Sequence, residues 1–323
     1  MTPRVTIVMY HYVRRVEGTR FPLLPALDVA AFEGQLDYIQ RHYSPVSVND
    51  IVSLAEGGPL PPRPILLTFD DGYADHYRDV FPVLRERKIP AVFFPAASSL
   101  LDRRVLDVNK IQLVLAVGDS APAMVTAIES MVEREAGRAD VRAVAEYRAE
   151  GWKPVRYDNA QVSYVKYMLQ RALPEDIRRA LVDGLFQRFV STDERAFADE
   201  FYFTESQARD MVADGLTIGC HADQHATLTS LSPEEQTTEI DGALRVLDAI
   251  GAPRKPFVYS YAKGAYDAHC LELLQARGCV MAVTNRPAIA ELAAGQMLTL
   301  PRIDANHLPT DGRAAANEWT ADA

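Results

Sequence analysis

Two adjacent carboxylates at the end of an apolar run are the residues of this sequence best suited to chemistry. Residues 65–69 are rich in β-forming side chains, and Asp70, Asp71 and Gly72 follow them directly. Neighbouring side chains on a strand point to opposite faces, but Gly72 supplies the φ freedom that lets both carboxylates enter one cleft. Two close carboxylates repel each other, which raises one pKa unless a cation lies between them. The pair therefore favours a metal enzyme, with a solvated turn after an edge strand as the alternative.

Two histidines four residues apart are the second such feature. His221 and His225 directly follow a predicted strand at residues 216–219. On a helical turn this spacing places two imidazoles on one face, although such histidines are often merely exposed. Two histidines and one carboxylate suit a catalytic divalent ion such as zinc, which leaves positions free for water and substrate. The ion would activate water and polarise a carbonyl, and the second carboxylate could act as general base.

The elements that must position these residues follow an α/β pattern. A strand at 65–71, a helix at 79–87 and a strand at 90–95 form a βαβ unit, which implies parallel strands. Further strands that alternate with helices are predicted at 5–10, 45–47, 216–219, 257–261, 280–284 and 298–303. Seven or eight parallel strands favour a (β/α) barrel over an open sheet, and barrel strands deliver functional residues at their carboxyl ends.

Residues 101–201 interrupt this pattern. Helical periodicity is predicted there at 108–117, 123–135, 160–173 and 175–189, with hardly any strand signal. We therefore predict a single barrel domain over residues 1–323 with a helical insertion at about 101–201. The insertion is expected to serve as a lid, a specificity element or a surface for homo-oligomerisation.

Composition restricts the class of protein. The 323 residues are 48% hydrophobic, enough to bury a full core, and the formal net charge of -10 argues against nucleic acid or anionic membrane as the main partner. The three cysteines are an odd number without a Cys-x-x-Cys motif, which favours a reducing compartment. The first apolar run is short for a signal peptide, and no segment approaches the ~20 apolar residues of a membrane helix. We therefore expect a cytoplasmic protein.

Both chemical motifs resemble those of a known family. Residues 68–72, Thr-Phe-Asp-Asp-Gly, and the pair His221-x-x-x-His225 resemble the first two motifs of the polysaccharide deacetylases, the NodB-type carbohydrate esterases. The segments 9–13 and 61–94 are also similar to that family, so the resemblance covers most of the chain outside the insertion. It implies a distorted, incomplete (β/α) barrel and the metal-dependent removal of an N- or O-acyl group from a sugar.

The resemblance also implies roles for individual residues. Asp70 would be the general base, and Tyr261 would offer its backbone N–H to the tetrahedral oxyanion. The implied ligands of one divalent ion are Asp71, His221 and His225. Zinc is the expected metal, with cobalt and nickel as alternatives.

The third and last motifs of the family are altered in this chain. The third usually reads Arg-Pro-Pro-Tyr, and the matching residues 258–261 are Val-Tyr-Ser-Tyr, so the arginine that orients the base is missing. We hypothesise that Arg302, at the end of the last predicted strand, fills that space. His307 is the candidate for the histidine that the last motif supplies as general acid.

Three further residues are candidates for contact with substrate. His11 ends the first predicted strand, so it could line the cleft, with packing as the alternative. Tyr73 directly follows the first motif, Tyr259 lies within the positions of the third, and both are predicted to bind substrate.

Together these features predict a metal-dependent hydrolase that removes an N-acyl group, expected to be acetyl, from an amino sugar or a soluble sugar precursor. One alternative keeps the site but changes the substrate, as in a deformylase or another amide hydrolase. A second is a non-catalytic glycan-binding protein on the same scaffold, motivated by the altered third motif. Retention of Asp70 beside three metal ligands argues against that alternative, since binding alone needs no general base.

Overall fold

A computed structural model describes residues 2–16, 18–59, 61–117, 120–155, 158–293 and 295–321. The chain divides into two compact units. The first comprises Met1–Arg15, Ala26–Arg104 and Ala198–Ala323, and the second comprises Val16–Pro25 and Val105–Phe197. Both chemical motifs lie in the first unit, which we call the barrel unit. The second, which we call the helical unit, takes in most of residues 101–201 together with a short segment near the N-terminus.

The strands are β1 (Arg4–Tyr10), β2 (Val13–Arg14), β3 (Leu27–Asp28), β4 (Ser44–Pro45), β5 (Pro64–Asp71), β6 (Ala91–Pro95), β7 (Thr217–Ile218), β8 (Phe257–Ser260), β9 (Cys279–Val283), β10 (Ala290–Glu291) and β11 (Ile303–Asp304). The helices are α1 (Val29–His42), α2 (Val48–Ala55), α3 (Phe81–Arg87), α4 (Ala97–Leu100), α5 (Asp107–Leu115), α6 (Ser120–Arg134), α7 (Val144–Gly151), α8 (Ala160–Tyr167), α9 (Glu175–Phe189), α10 (Glu194–Phe201), α11 (Glu205–Ala213), α12 (Pro233–Ala243), α13 (Arg245–Ile250) and α14 (Ala268–Arg277).

Parallel pairing joins the strands that carry the two motifs. β5 pairs with β1 on one side and β6 on the other, and β6 pairs with β7. A single parallel bridge between Cys220 and Tyr259 leads on to β8, which pairs with β9. A second bridge, from Val283 to Leu300, precedes β11, and β11 pairs with β1. This pairing and the alternating helices confirm the predicted α/β class as a distorted (β/α) barrel.

The last predicted strand is much shorter than the sequence indicates. Residues 298–303 were expected to be extended throughout, but only Ile303–Asp304 pairs as a strand and Leu300 makes an isolated bridge. Pro301 lies between them and has no backbone N–H to donate to a ladder.

The centre of the barrel unit lies directly beneath the carboxylate pair. All eight residues of β5 are buried, which explains why residues 64–67 are apolar without alternation. The Phe69 ring stacks between Tyr10 of β1 and Phe93 of β6, with ring centroids 4.8 and 4.7 Å away. This aromatic layer holds three neighbouring strands in register at the level from which Asp70 and Asp71 emerge.

Local capping signals define several helices of the barrel unit. Asp28 caps α1, and Thr204 and Ser232 form capping boxes at α11 and α12, each with a Glu or Gln partner three residues later in the sequence. At α2 the sequence offers Asn49 as a cap, but the structure has a different one. Ser47 takes that place, because its hydroxyl accepts from the Asp50 N–H while the Asp50 carboxylate accepts from the Ser47 N–H.

The helical unit contains α5 to α9 and buries one ion-paired lysine. Lys110 Nζ lies 2.6 Å from Asp183 and 3.0 Å from Glu194, with its side chain almost fully buried. Across the described residues of the whole chain, no helix combines the length and apolar character needed to cross a membrane.

Candidate metal centre and active site

Asp71, His221 and His225 converge at the carboxyl ends of β5 and β7. The Oδ1 atom of Asp71 lies 3.4 Å from His221 Nε2 and 3.5 Å from His225 Nε2. The three ligand atoms all lie within 4.8 Å of one another. The structure therefore brings together the three residues predicted as metal ligands.

The backbone turns sharply where Asp71 leaves β5. Asp71 and Gly72 both have positive φ angles, of 70° and 76°. A side chain at position 72 would place its Cβ 2.7 Å from the Cβ of Pro95, so only glycine fits without a shift of the neighbouring strand. The predicted role of Gly72 is confirmed, since this turn lets consecutive carboxylates face one cleft.

The loop from His221 to His225 is not the helical turn that the sequence predicts. Ala222 and His225 have positive φ angles of 76° and 61°, which a right-handed helix excludes. The Glu239 carboxylate of α12 holds the loop, because Oε1 accepts from the backbone N–H of Gln224 at 2.9 Å and of Ala226 at 3.0 Å. The prediction was wrong because a spacing of four residues also fits a loop that bends back on itself.

Hydrogen bonding orients His221 toward the cluster. Its Nδ1 lies 2.8 Å from the carbonyl oxygen of Ser260, so the tautomer that donates there leaves Nε2 with a lone pair directed at Asp71. Burial opposes the charged imidazolium, but Asp70 and Asp71 raise the pKa of His221. For His225, burial and the neighbouring His221 lower the pKa to about 3, so this imidazole is neutral at neutral pH.

The cluster fits a divalent metal. Asp71 Oδ1 is buried and has no hydrogen-bond partner among the described residues, while Oδ2 accepts from the Tyr73 hydroxyl. A buried carboxylate oxygen without a partner is costly unless a cation or donor satisfies it. One carboxylate oxygen and two imidazole nitrogens are a donor set typical of catalytic zinc.

Arg302 lies directly against Asp70. Its NH1 and NH2 groups donate to the two carboxylate oxygens at 2.9 and 2.7 Å, and the guanidinium is 1% exposed. It also donates to the Thr284 carbonyl and to the hydroxyls of Thr68 and Ser260. Burial alone would raise the pKa of Asp70, but Arg302, His221 and His11 together lower it to about 2.

His11 reaches the same carboxylate from β1. Its Nε2 is 4.0 Å from Asp70 Oδ2, and its side chain is 43% exposed, so it lines the cleft at the solvent side. The carbonyl oxygen of His11 lies 2.7 Å from Nε2 of His76, which closely follows the Asp-Asp turn and is buried rather than at a solvated helix start. His76 therefore fixes the backbone at the point where β1 delivers His11.

Four other predicted site residues have different surroundings. The Tyr261 N–H donates to the Val283 carbonyl at 3.1 Å, so this group is engaged in the sheet instead of facing an oxyanion. Tyr73 and Tyr259 are 1% and 0% exposed, and this burial argues against direct contact with substrate. The His307 ring stacks on Trp319 at 4.2 Å, and within the described ranges it makes no hydrogen bond or ion pair with the metal cluster.

Comparison with known proteins accounts for this geometry. The family model for polysaccharide deacetylases matches residues 57–134 and 186–282, more than half of the 323 residues, and includes both motifs. The chain belongs to the polysaccharide deacetylase family. The interruption of the match, residues 135–185, falls within the helical unit.

Individual family members are similar over different lengths. The poly-β-1,6-N-acetyl-D-glucosamine N-deacetylase of Escherichia coli (strain K12) is 47% identical over 71 residues, which span 21% of this chain but only 11% of that protein. The solved structure of the Streptococcus pyogenes deacetylase PplD in complex with acetate has a TM-score of 0.57 at 18% identity, covering 96% of this chain and 94% of that one. IcaB from Ammonifex degensii has a TM-score of 0.55 at 18% identity, covering 94% and 91%. The two solved structures share the deacetylase fold with this chain.

Proposed function

We propose that this protein is a metal-dependent hydrolase that removes the N-acetyl group from an amino sugar of a glycan. The observation that carries the proposal is the adjacency of two carboxylates with different partners. Asp71 faces two histidines, whereas Asp70 is held by a buried arginine. Family membership and the amino-sugar substrate in the name of the E. coli relative support the choice of an N-acetylated glycan.

Asp70 is the general base of the proposed reaction. With a pKa of about 2 it is ionised at neutral pH and can accept a proton from the attacking water. Bidentate bonding from Arg302 fixes the carboxylate plane, so the base does not need to reorient as the proton moves. Arg302 thus orients the base in place of the arginine that the third motif lacks.

His11 is the proposed proton donor to the leaving amine. It is a titratable group close to Asp70, its Nε2 is 4.0 Å from the base, and its exposure lets it meet a substrate that enters from solvent. His307, the earlier candidate, packs on Trp319 instead. A base and an acid on two neighbouring strands, β5 and β1, can act on opposite sides of one scissile bond.

Asp71, His221 and His225 would hold the divalent ion. When bound, the ion would supply Lewis-acid chemistry, which lowers the pKa of a coordinated water and polarises the acyl carbonyl. Zinc suits the two imidazoles and one carboxylate, and cobalt and nickel are the alternatives.

The glycan-binding alternative was considered because the third motif lacks the arginine that orients the base. Arg302 donates two hydrogen bonds to Asp70, so that reason no longer applies. A protein that only binds sugar needs neither an ionised, buried carboxylate nor a cationic partner to position it.

Metal content and acetate release test the proposal together. Wild-type protein is expected to bind about one divalent ion per chain and to release acetate from a β-1,6-linked N-acetylglucosamine oligosaccharide. His221→Ala should lose both properties, whereas His269→Ala, which alters a histidine on α14, should retain both. An N-formyl analogue in the same assay separates a deacetylase from a deformylase. Wild type that binds no ion after incubation with zinc or cobalt would refute the mechanism.

A further inference from the structure

The Tyr73 hydroxyl donates a hydrogen bond to one oxygen of the metal-ligand carboxylate. The acceptor is Asp71 Oδ2, whereas Oδ1 faces the two histidine nitrogens. The two oxygens of one carboxylate therefore have separate tasks. The Tyr73 side chain is 1% exposed, so its hydroxyl is committed to Asp71 and is not available to a substrate.

Aromatic packing fixes the position of that hydroxyl. The Tyr73 ring stacks on Tyr12 with centroids 4.2 Å apart and an interplanar angle of 23°. Tyr202 lies parallel on another side at 6.1 Å, and its backbone bridges to Tyr73. Phe203 N–H donates to the Gly72 carbonyl at 3.0 Å, which ties the same segment to the turn after Asp71. The ring cannot move without disturbing several contacts of the barrel unit.

A tyrosine hydroxyl can both donate and accept a hydrogen bond. A protonated phenol has one hydrogen to donate, and here it is used on Oδ2.

We propose that Tyr73 is a positioning residue. Its hydrogen bond occupies Oδ2 of Asp71, so that this aspartate binds the metal through Oδ1 alone. The inference rests on the proposed metal centre and adds a determinant of its affinity and selectivity. A single-oxygen ligand beside two imidazoles keeps the coordination number low, which suits zinc and disfavours calcium, an ion that uses six to eight oxygens and often bidentate carboxylates.

Tyr73→Phe is the direct test, because it removes the hydroxyl and retains the ring that stacks on Tyr12. Hydrogen-bond partners outside the ligand set affect metal affinity by about 10- to 100-fold. We expect the Kd for zinc, measured by competition with a chromophoric chelator, to rise by about that factor. We also expect the visible absorption bands of the cobalt-substituted protein to change, because Oδ2 becomes free to coordinate.

Tyr10→Phe is the matched control. Tyr10 is equally buried in the same barrel unit, and its hydroxyl has no hydrogen-bond partner in the part of the chain that the structure describes. This variant should keep the wild-type Kd and cobalt spectrum. Thermal unfolding of both metal-free variants checks that each is folded.

The outcomes separate this inference from the proposed function. Tyr73→Phe with the wild-type Kd and an unchanged cobalt spectrum would overturn the positioning role. Equal weakening in Tyr10→Phe would also overturn it, since the effect would then be structural. Wild type that binds zinc but releases no acetate would refute the deacetylase and leave the positioning role standing, whereas wild type that binds no metal would refute both.

Discussion

Replacing Arg302 with methionine tests how the base is held. Arg302→Met keeps an unbranched apolar stem but removes the guanidinium and with it both hydrogen bonds to Asp70, at 2.9 and 2.7 Å. Removing one partner of a buried ion pair costs about 3–5 kcal/mol of stability, because the other charge is left uncompensated. Burial would then be opposed only by His221 and His11, so the pKa of Asp70 would rise from about 2.

The catalytic effect can be estimated from the same contacts. A hydrogen bond to a charged group contributes about 1.5–3 kcal/mol. If the transition state loses stabilisation equal to one such hydrogen bond, kcat/KM falls by roughly 10- to 150-fold, because each 1.36 kcal/mol corresponds to a factor of ten. We expect this fall at neutral pH, measured as acetate release by zinc-loaded enzyme, with metal content unchanged because Arg302 touches none of the three ligands.

Arg103→Met provides the matched control. Arg103 is a second buried arginine of the barrel unit, bonded to Asp199 at 2.6 Å and to the backbone carbonyls of Ala198 and Phe203. Its loss should lower the free energy of unfolding without changing kcat/KM of the folded fraction. Unchanged kcat/KM in folded, zinc-loaded Arg302→Met would refute the reasoning that this arginine orients the base.

Three further predictions concern the groups around this pair. His11→Gln should lower kcat by about 100-fold or more and leave the zinc content intact, because the proton donor lies outside the ligand set; acetate release and metal analysis check this, and loss of metal would contradict it. Glu239→Ala leaves two backbone N–H groups of the His225 loop without their acceptor, so the zinc Kd should rise about tenfold or more, and an unchanged Kd in chelator competition would argue against this support. In metal-free protein, burial lowers the pKa of His76 from 6.5 to about 4, so its contribution to stability is complete above pH 6.5 and falls by ~3 kcal/mol as the pH drops to 4. The free energy of unfolding of His76→Phe, measured in urea at several pH values, should lack that part of the dependence on pH. A pH dependence identical to that of the wild type would show that another group is responsible.

Features set by nearby residues were predictable from the sequence. The two carboxylates and Gly72 are consecutive, so the end of a strand is enough to place them together. The capping boxes at Thr204 and Ser232 each need only a partner three residues away. Because both motifs follow predicted strands, His221 and His225 were correctly expected near Asp71. Their four-residue spacing, however, predicted the wrong backbone conformation. Spacing alone does not distinguish a helical turn from a loop, and Glu239, which decides the matter, lies on the following helix.

Features set by long-range packing were harder to predict. The Tyr261 N–H is engaged because β9 pairs alongside β8, and no local sequence pattern indicates the register of that pairing. The sequence after Pro309 has no helix or strand pattern and so predicts a frayed segment, but Thr320 is fully buried and its hydroxyl accepts from Tyr38 at 3.0 Å. The same segment brings Trp319 onto His307, which is why this histidine faces the C-terminal residues and not the base.

Arg302 shows how an arginine missing from a sequence motif can be replaced by one from another strand. Arg302 and Asp70 are 232 positions apart in sequence, yet β11 pairs with β1, and β1 pairs with β5. The carboxyl ends of parallel barrel strands converge, so a long side chain from any of several strands can reach the same carboxylate. Thr68 and Ser260 each accept a hydrogen bond from the Arg302 guanidinium. These acceptors determine where a cation must lie beside Asp70, but they do not determine which strand supplies it. The requirement for a held base is therefore a constraint on position in space, and a motif written along the sequence can lose its arginine while the site retains one.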